Sequence, residues 1–266
     1  MYLVCDEMTI YQHFRKHEHP FVDQVLSWKE QVMRNYIPYE TDFLDPREQE
    51  IVKSIIGTTN EEVRFAFFGG SESRERKRAI IAPFYEEITE EAFDIVLLEA
   101  TFQSKFVTLK HRDILGAFTS LGIDRKKIGD ILVAEDRFQL FLTSELKEFV
   151  KMNLTNIKNT TITLKEMFTK DVIENTDEWI HKQHFVSSMR LDVIVKEIYQ
   201  LSRKNAVQYI QANRVKVNFT IVDDPALPIL EQDLISVRGL GRSKIVDMQG
   251  KTKKDKQRLT SARLKT

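Results

Sequence analysis

The sequence predicts a multi-domain α+β protein with a helical N-terminal region, a mixed α/β middle domain and a C-terminal module of two helices on a small sheet. Three observations support this. Apolar residues recur at helical spacing through residues 1–75, and strand-like and helix-like runs alternate from 77 to 167. The stretch 189–242 then follows two amphipathic helical segments with two alternating ones. The expected boundaries are 1–75 for the helical domain, 76–168 for the α/β domain, 169–184 for a linker, 185–246 for the compact module and 247–266 for a basic tail.

In the first region Phe21, Val25, Trp28 and Val32 mark one helical face, and Ile51, Val52, Ile55 and Ile56 repeat the pattern after the break at Asp45-Pro46. These stripes read as core. His13, His17 and His19 include an i, i+4 pair, but no cysteine or ordered carboxylate completes a ligand set, so no metal is expected. Phe67-Phe68-Gly69-Gly70-Ser71 carries a turn signal and runs into Arg74-Glu75-Arg76-Lys77-Arg78. It lacks the spacing and the Gly-Lys-Ser/Thr of a phosphate-cradling Walker loop.

The middle domain reads as strands at 79–82 and 93–101, a helix at 112–120 stopping at Gly122, and strands at 131–133 and 138–142. A helix capped by Ser144 runs to about Leu154, and a strand at 160–164 closes the series. That order suggests an open sheet with helices on one face, the layout of an RRM-like domain. The aromatic RNP1 signature is missing, so base stacking on this sheet is not expected. Asn175-Thr176-Asp177 belongs to the polar connection that follows.

In the C-terminal module Leu191, Ile194, Val195 and Ile198 form one helical face. Ser202 is a preferred N-cap type for a second helix burying Ala206, Val207 and Ile210. Val215-Lys216-Val217-Asn218 and Ile235-Ser236-Val237-Arg238 alternate like half-buried strands, separated by the turn signals Asp223-Asp224-Pro225 and Pro228. The charges are placed against a local rule. Arg203 and Lys204 fall in the first turn of the second helix, where the macrodipole disfavours a cation by about 0.3–1 kcal/mol each. A phosphate at that helix end removes the conflict, the alternative being two solvated surface cations. Arg190, Arg214, Lys216, Arg238 and Arg242 add to the same short module, which tilts the balance toward an anionic ligand.

The formal net charge of zero hides a polarity: residues 185–266 hold 16 Lys+Arg against 8 Asp+Glu, and residues 1–184 hold 24 against 32. Such a chain presents a basic end to nucleic acid. The final segment, with Lys251, Lys253, Lys254, Lys256, Arg258, Arg263 and Lys265, reads as a mobile arm adding non-specific phosphate affinity, or else as a solubilising tail. Arg74, Arg76, Lys77 and Arg78 are expected as a further accessory RNA contact, the alternative being a charged helix end or loop.

The string R-L-D…S-R-x-x-A…V-x-V-N…D-x-I-x-V-R-G-x-G-R resembles the S4-type (αL) RNA-binding domain. In that family the second helix, the next loop and a strand form one basic face that grips structured RNA. Carried over by position, the resemblance implies Arg190, Ser202, Arg203, Lys204, Gln208, Asn213, Arg214 and Lys216 as the gripping residues, with Arg238 and Arg242 at the rim. Asn213 stands where the family usually has Gly, and Asn is the next best residue for a left-handed conformation. Phe219 stands where many members have Gly after Asn218, so that turn is expected to be built differently.

A wider resemblance rests on Ile10-Tyr11-Gln12-His13-Phe14, Phe43-Leu44-Asp45-Pro46-Arg47-Glu48, Phe68-Gly69-Gly70…Glu75-Arg76-Lys77-Arg78 and His111-Arg112-Asp113-Ile114-Leu115-Gly116…Lys127-Ile128-Gly129-Asp130. These strings resemble the YlmH family of bacterial RNA-binding proteins from about Thr9 to Arg242, which makes Met8 an alternative start. The resemblance implies an N-terminal domain, an RRM-like middle and a C-terminal S4-type domain. It also implies a protein of the large ribosomal subunit that binds rRNA and peptidyl-tRNA in the rescue of obstructed subunits, with a link to cell division.

Several classes are disfavoured. The composition, 42% hydrophobic and 30% charged, fits a globular protein, and the longest apolar runs, such as 95–98, are too short to span a bilayer. No signal peptide is visible, and the single cysteine, Cys5, makes no internal disulfide, so a cytoplasmic location is expected. S4-type domains are also appended to pseudouridine synthases, rRNA methyltransferases and tyrosyl-tRNA synthetases. The cofactor turn, paired nucleotide motifs or catalytic Asp motif of those enzymes are not found, and helix capping or an ion pair with a nearby Arg explains Asp192. The expectation is a monomeric binding protein without cofactor or small-molecule substrate. A cell-division scaffold with secondary RNA binding is the other class, which co-sedimentation with large subunits separates.

Overall fold

The computed structural model of the chain describes residues 10–57, 62–103, 107–173, 178–251 and 255–265. They belong to two compact units, Met1–Glu174 and Asn175–Thr266.

In the first unit α1 (His19–Asn35) starts with a proline in its first turn and ends at Tyr36, which adopts a left-handed φ of 55°. Its buried face is Val22, Val25, Trp28 and Val32, and Phe21 packs edge-on against Trp28. The strand β1 is short (Tyr39–Glu40). A capping box then opens α2 (Pro46–Ile56): the Glu48 N–H donates to Asp45 at 2.9 Å, and the Asp45 N–H donates back to the Glu48 carboxylate at 2.8 Å. Both helices cover one face of a three-stranded antiparallel sheet ordered β1-β3-β2, with β2 at Val63–Phe68 and β3 at Arg78–Pro83.

That sheet corrects the expected helical domain. Val63, Phe65 and Phe67 alternate with Arg64 and Ala66, which is a strand period, and the partner strand lies beyond the boundary expected at residue 75. Ala79 and Ile81 face α1 and α2, while Ile80 and Ala82 pack with Phe93 on the other side. A strand covered on both faces is apolar at every position, as 79–82 is.

The remainder of this unit is the expected RRM-like layout. β4 (Ile95–Thr101), α3 (His111–Ser120), β5 (Ile128–Val133), β6 (Arg137–Thr143), α4 (Lys147–Asn153) and β9 (Lys165–Met167) form a β-α-β-β-α-β series in the sheet order β5-β6-β4-β9. Ile114, Phe118 and Val150 of the helices pack on Leu98, Leu140 and Leu142. The strand expected at 160–164 is placed differently. Thr160–Thr161 (β8) pairs with Asn156–Ile157 (β7) in a separate hairpin, and Lys165–Met167 takes the edge of the sheet. The other sheet face carries Leu97, Leu132 and Phe141 and is covered by Phe43, with Val172 and Ile173 packed beside them. The chain's own residues thus occupy the surface on which RNA-recognition sheets stack bases.

The second unit is a six-stranded antiparallel sheet ordered β10-β15-β14-β13-β11-β12, with two helices on one face. In chain order these are β10 (Trp179–Val186), α5 (Leu191–Tyr199), α6 (Arg203–Gln211), β11 (Val215–Val217), β12 (Thr220–Ile221), β13 (Leu234–Val237), β14 (Gly241–Lys251) and β15 (Gln257–Leu264). The segments expected as a linker and a mobile basic arm therefore hold β10 and β15, which pair from Trp179↔Leu264 to Val186↔Gln257. Their order comes from pairing with each other and with β14, not from apolar periodicity within either segment. Lys253, Lys254 and Asn175-Thr176-Asp177 lie outside the described residues, as does the Lys251 side chain.

Candidate nucleic-acid interface

The interface is built from the start of α5. Its first N–H groups are satisfied by the turn-rich segment: Leu191 N–H donates to Leu227 O at 2.9 Å and Asp192 N–H to Pro225 O at 3.0 Å. Asp192 is 1% exposed and accepts from Arg190 Nε (3.0 Å), from Val193 N–H (3.0 Å) and from Arg203 Nε and Nη2 (both 3.2 Å). Burial pushes its carboxyl pKa up, but the hydrogen bonds and charges of the two arginines outweigh this and hold it below the usual value. One buried carboxylate thus clasps two cations from different segments and leaves their outer faces in water, Arg203 being 65% exposed.

Ser202 caps α6 as expected, accepting from Asn205 N–H at 3.1 Å. Ala206 and Ile210 are buried and Val207 is half-buried. Arg203 and Lys204 do occupy the first turn, but the clasp gives Arg203 a structural reason, the ion pair expected between Asp192 and a nearby Arg. Lys204 has no ion-pair partner among the described residues, and it is exposed together with Gln208. At the far end of α6 Asn213 adopts a φ of 56°, the left-handed conformation expected of it. Arg214 follows, with its guanidinium over the Tyr209 ring at 5.7 Å. Arg190, Arg203, Lys204, Gln208 and Arg214 therefore belong to the helix side of the sheet.

Lys216 and Arg242 do not. Val215, Val217, Ile235 and Val237 point into the core with α5 and α6, so strand alternation turns Lys216, between two of them, to the opposite face. Arg242 shares that face through the register Lys216↔Ser236↔Arg242. The single basic face expected from residue order is thus two faces meeting at the edge where the Arg238 N–H donates to Arg214 O at 2.8 Å. The turn after Asn218 is indeed unusual: Asn218 and Phe219 both have positive φ, 48° and 66°, and the Asn218 amide ties the turn to Asp233 and Leu234.

The cluster at 74–78 departs from its expected role as an accessory contact. Arg74 is 5% exposed and lies over the Phe141 ring at 5.8 Å. Arg78 is 7% exposed, donating to Thr41 O and Phe93 O, both at 2.8 Å, and pairing with Glu40 at 2.6 Å. Arg76 donates to Ile128 O at 3.2 Å and Phe43 O at 2.6 Å, while the Lys77 Nζ donates to Glu72 O at 3.5 Å. The three arginines are internal staples between the two sheets of the first unit. The preceding Gly69-Gly70 serves the same packing, because a Cβ on Gly70 would run into the Phe141 ring. Of the three histidines, His19 packs against Tyr11 at 4.9 Å, and no group of three metal-ligating side chains comes together among the described residues.

Positions that residue order did not single out are Tyr209, under Arg214, and Lys244, an outward residue of β14; Arg258, expected in a mobile basic arm, is an outward residue of β15. Alternation in those strands was the available signal.

The family model for the RNA-binding domain in YlmH matches residues 89–171, and the S4 domain model matches residues 189–235. The ribosome-associated protein quality control protein P2 of Bacillus subtilis (strain 168) is 39% identical over 257 residues, 96% of this chain and 99% of the relative. The solved structure of the cell division protein ylmH from Streptococcus pneumoniae superposes with a TM-score of 0.53 at 32% identity, covering 61% of this chain and 99% of that one.

Proposed function

The chain belongs to the YlmH family of S4-domain RNA-binding proteins, and from that premise we propose that it grips structured RNA of the large ribosomal subunit. It does so together with the peptidyl-tRNA held there, in the rescue of obstructed subunits. The observation that carries this reading is the clasp at Asp192, which holds Arg190 and Arg203 side by side at the mouth of α6 beside the exposed Lys204. Donors fixed before the ligand arrives lose little freedom on binding. Arg203, Lys204 and Arg214 hold phosphates, Gln208 and Asn213 set the register, and Lys216, Arg238 and Arg242 extend the grip around the sheet edge.

This is a binding protein that acts as a monomer in the cytoplasm, without cofactor and without making or breaking a covalent bond. The Asp192 carboxylate, already bonded to two guanidinium groups, has no role as a base. The name of the Bacillus relative supports the ribosomal assignment. The name of the pneumococcal relative favours a second role in cell division.

The test is co-sedimentation with purified large subunits across a salt series. Arg203→Glu with Lys204→Glu is expected to weaken binding about 100-fold, from the loss of two charge-assisted contacts, and to lower the salt slope by about two. Lys204→Glu alone keeps the clasp and the parent's thermal transition, whereas the double variant sets a second carboxylate beside Asp192 and is expected to melt earlier. Wild-type affinity in that variant removes the helix side from the interface, and no co-sedimentation of the parent removes the ribosomal assignment.

A further inference from the structure

We propose that the open face of the C-terminal sheet is a second RNA contact, a track for a single strand of RNA that continues from the helix side. The proposal rests on the RNA-binding assignment above and extends it to a surface the helices leave bare.

The pleat defines the track. Val215, Val217, Ile235, Val237, Ile245 and Leu259 are buried with α5 and α6. The residues that alternate with them point the other way, and the registers set them in rows across the strands. One row is Lys216↔Ser236↔Arg242. The next is Leu234↔Lys244↔Ala262↔His181, and further along lies Gln249↔Arg258↔Phe185. Neighbouring strands stand about 4.8 Å apart, and alternate residues along a strand about 7 Å apart. Arg242 and Lys244 are therefore successive cations on one strand, with Lys216 two strands away. Ser236, Ala262 and Thr260, small side chains on the same face, leave room for a chain to lie close to the sheet.

Charge and ring chemistry identify the occupant. Lys216, Lys244 and Arg258 are exposed and in no ion pair among the described residues. The carboxylate of Asp247 on this face accepts from the Gln249 amide at 2.7 Å. Phe185 is 46% exposed, an unusual place for a large apolar ring, and the Arg258 guanidinium lies over it at 5.7 Å. An exposed ring joined to a guanidinium plane is a stacking platform for an unpaired base, and the cations beside it suit the backbone. Duplex RNA fits poorly: its major groove is too narrow to admit a sheet and its bases are already stacked.

The experiment uses the full chain, a short labelled oligouridine and, separately, large ribosomal subunits. Lys244→Glu with Arg258→Glu is expected to weaken oligouridine binding about tenfold or more and to flatten its salt slope by about 0.7 per cation. Phe185→Ala is expected to weaken it at least about fivefold with the salt slope unchanged, the signature of lost stacking. The milder Lys244→Gln with Arg258→Gln gives the same direction and guards against misfolding, with the thermal transition as the control. Oligouridine binding at wild-type affinity and slope in all three variants overturns the proposal, and is the outcome for a face that serves an acidic protein. The result for Arg203→Glu with Lys204→Glu on large subunits is read separately, so the failure of one assignment is distinguishable from the failure of the other.

Discussion

The chain concentrates cations at 74–78 and again at 203–204, and the two clusters end in opposite environments. Arg74 and Arg78 are buried and turned inside the protein, Arg78 onto the carbonyl oxygens of Thr41 and Phe93 and the Glu40 carboxylate, Arg74 onto Ser73 and the Phe141 ring. Arg203 is anchored by one edge to Asp192 and leaves the rest in water, beside an unanchored Lys204. The flanking sequence makes the difference. Arg78 opens a strand whose next residues, Ala79 to Ala82, are buried on both faces, so its side chain is carried inward with them. Arg203 shares the face of Ala206 and Ile210, three and seven residues further on, but stands in the first turn, past the end of that apolar stripe, where Asp192 meets it and its outer edge stays in water. A run of arginines marks a binding surface only where the adjoining element has a solvent face.

The contrast is sharpest in stability. Arg78→Ala leaves the half-buried Glu40 without its ion-pair partner and the carbonyls of Thr41 and Phe93 without their donor. Removing one partner of such a pair costs about 3–5 kcal/mol, and calorimetry is expected to show the first unit unfolding early. A change within about 0.5 kcal/mol would mean that Arg78 is as dispensable as a surface cation. Asp192→Asn comes next. Loss of the ionic part of two arginine contacts is expected to destabilise the second unit by about 2 kcal/mol. It also weakens binding to large subunits even though the basic unit becomes more positive. Tighter binding in that variant would mean that the clasp withholds charge from RNA instead of presenting it.

Much of this was legible because it is local. Strands and helices between 93 and 143 follow from periodicity alone, and Asn213 was expected in the left-handed region from its residue type. Phe219 carries no such signal, and its φ of 66° is imposed by the hairpin that Asn218 ties to Asp233. β2 was hidden because its partner follows the turn at Gly69-Gly70, and β15 because its few apolar residues, Leu259, Ala262 and Leu264, stand among polar and basic ones. Pairing of that kind depends on a strand elsewhere in the chain. The side of Lys216 was readable in principle, since Val215 and Val217 flank it, but the arginines around it suggested one surface where alternation makes two.

Two aspartates carry the comparison into pH. Asp192, between two arginines, has its pKa lowered, whereas burial and the neighbouring Glu48 raise that of Asp45 from its ordinary 3.8 to about 6. A raised carboxyl pKa means that the folded form binds the proton more tightly than the unfolded one. Stability from Asp45 is therefore present at low pH and is lost as pH rises through the window from 3.8 to about 6. Lowering the pH from 7 to 5 is expected to add about 1 kcal/mol to the first unit through this group. Asp192 works in the opposite sense, its contribution being intact at both values and lost only in stronger acid. Asp45→Asn keeps a competent N-cap, removes the buried charge and is expected to raise the thermal transition of the first unit at pH 7 more than at pH 5. Equal shifts at the two pH values would show that Asp45 titrates normally, and that the α2 capping box holds its carboxylate as comfortably as the arginine clasp holds Asp192.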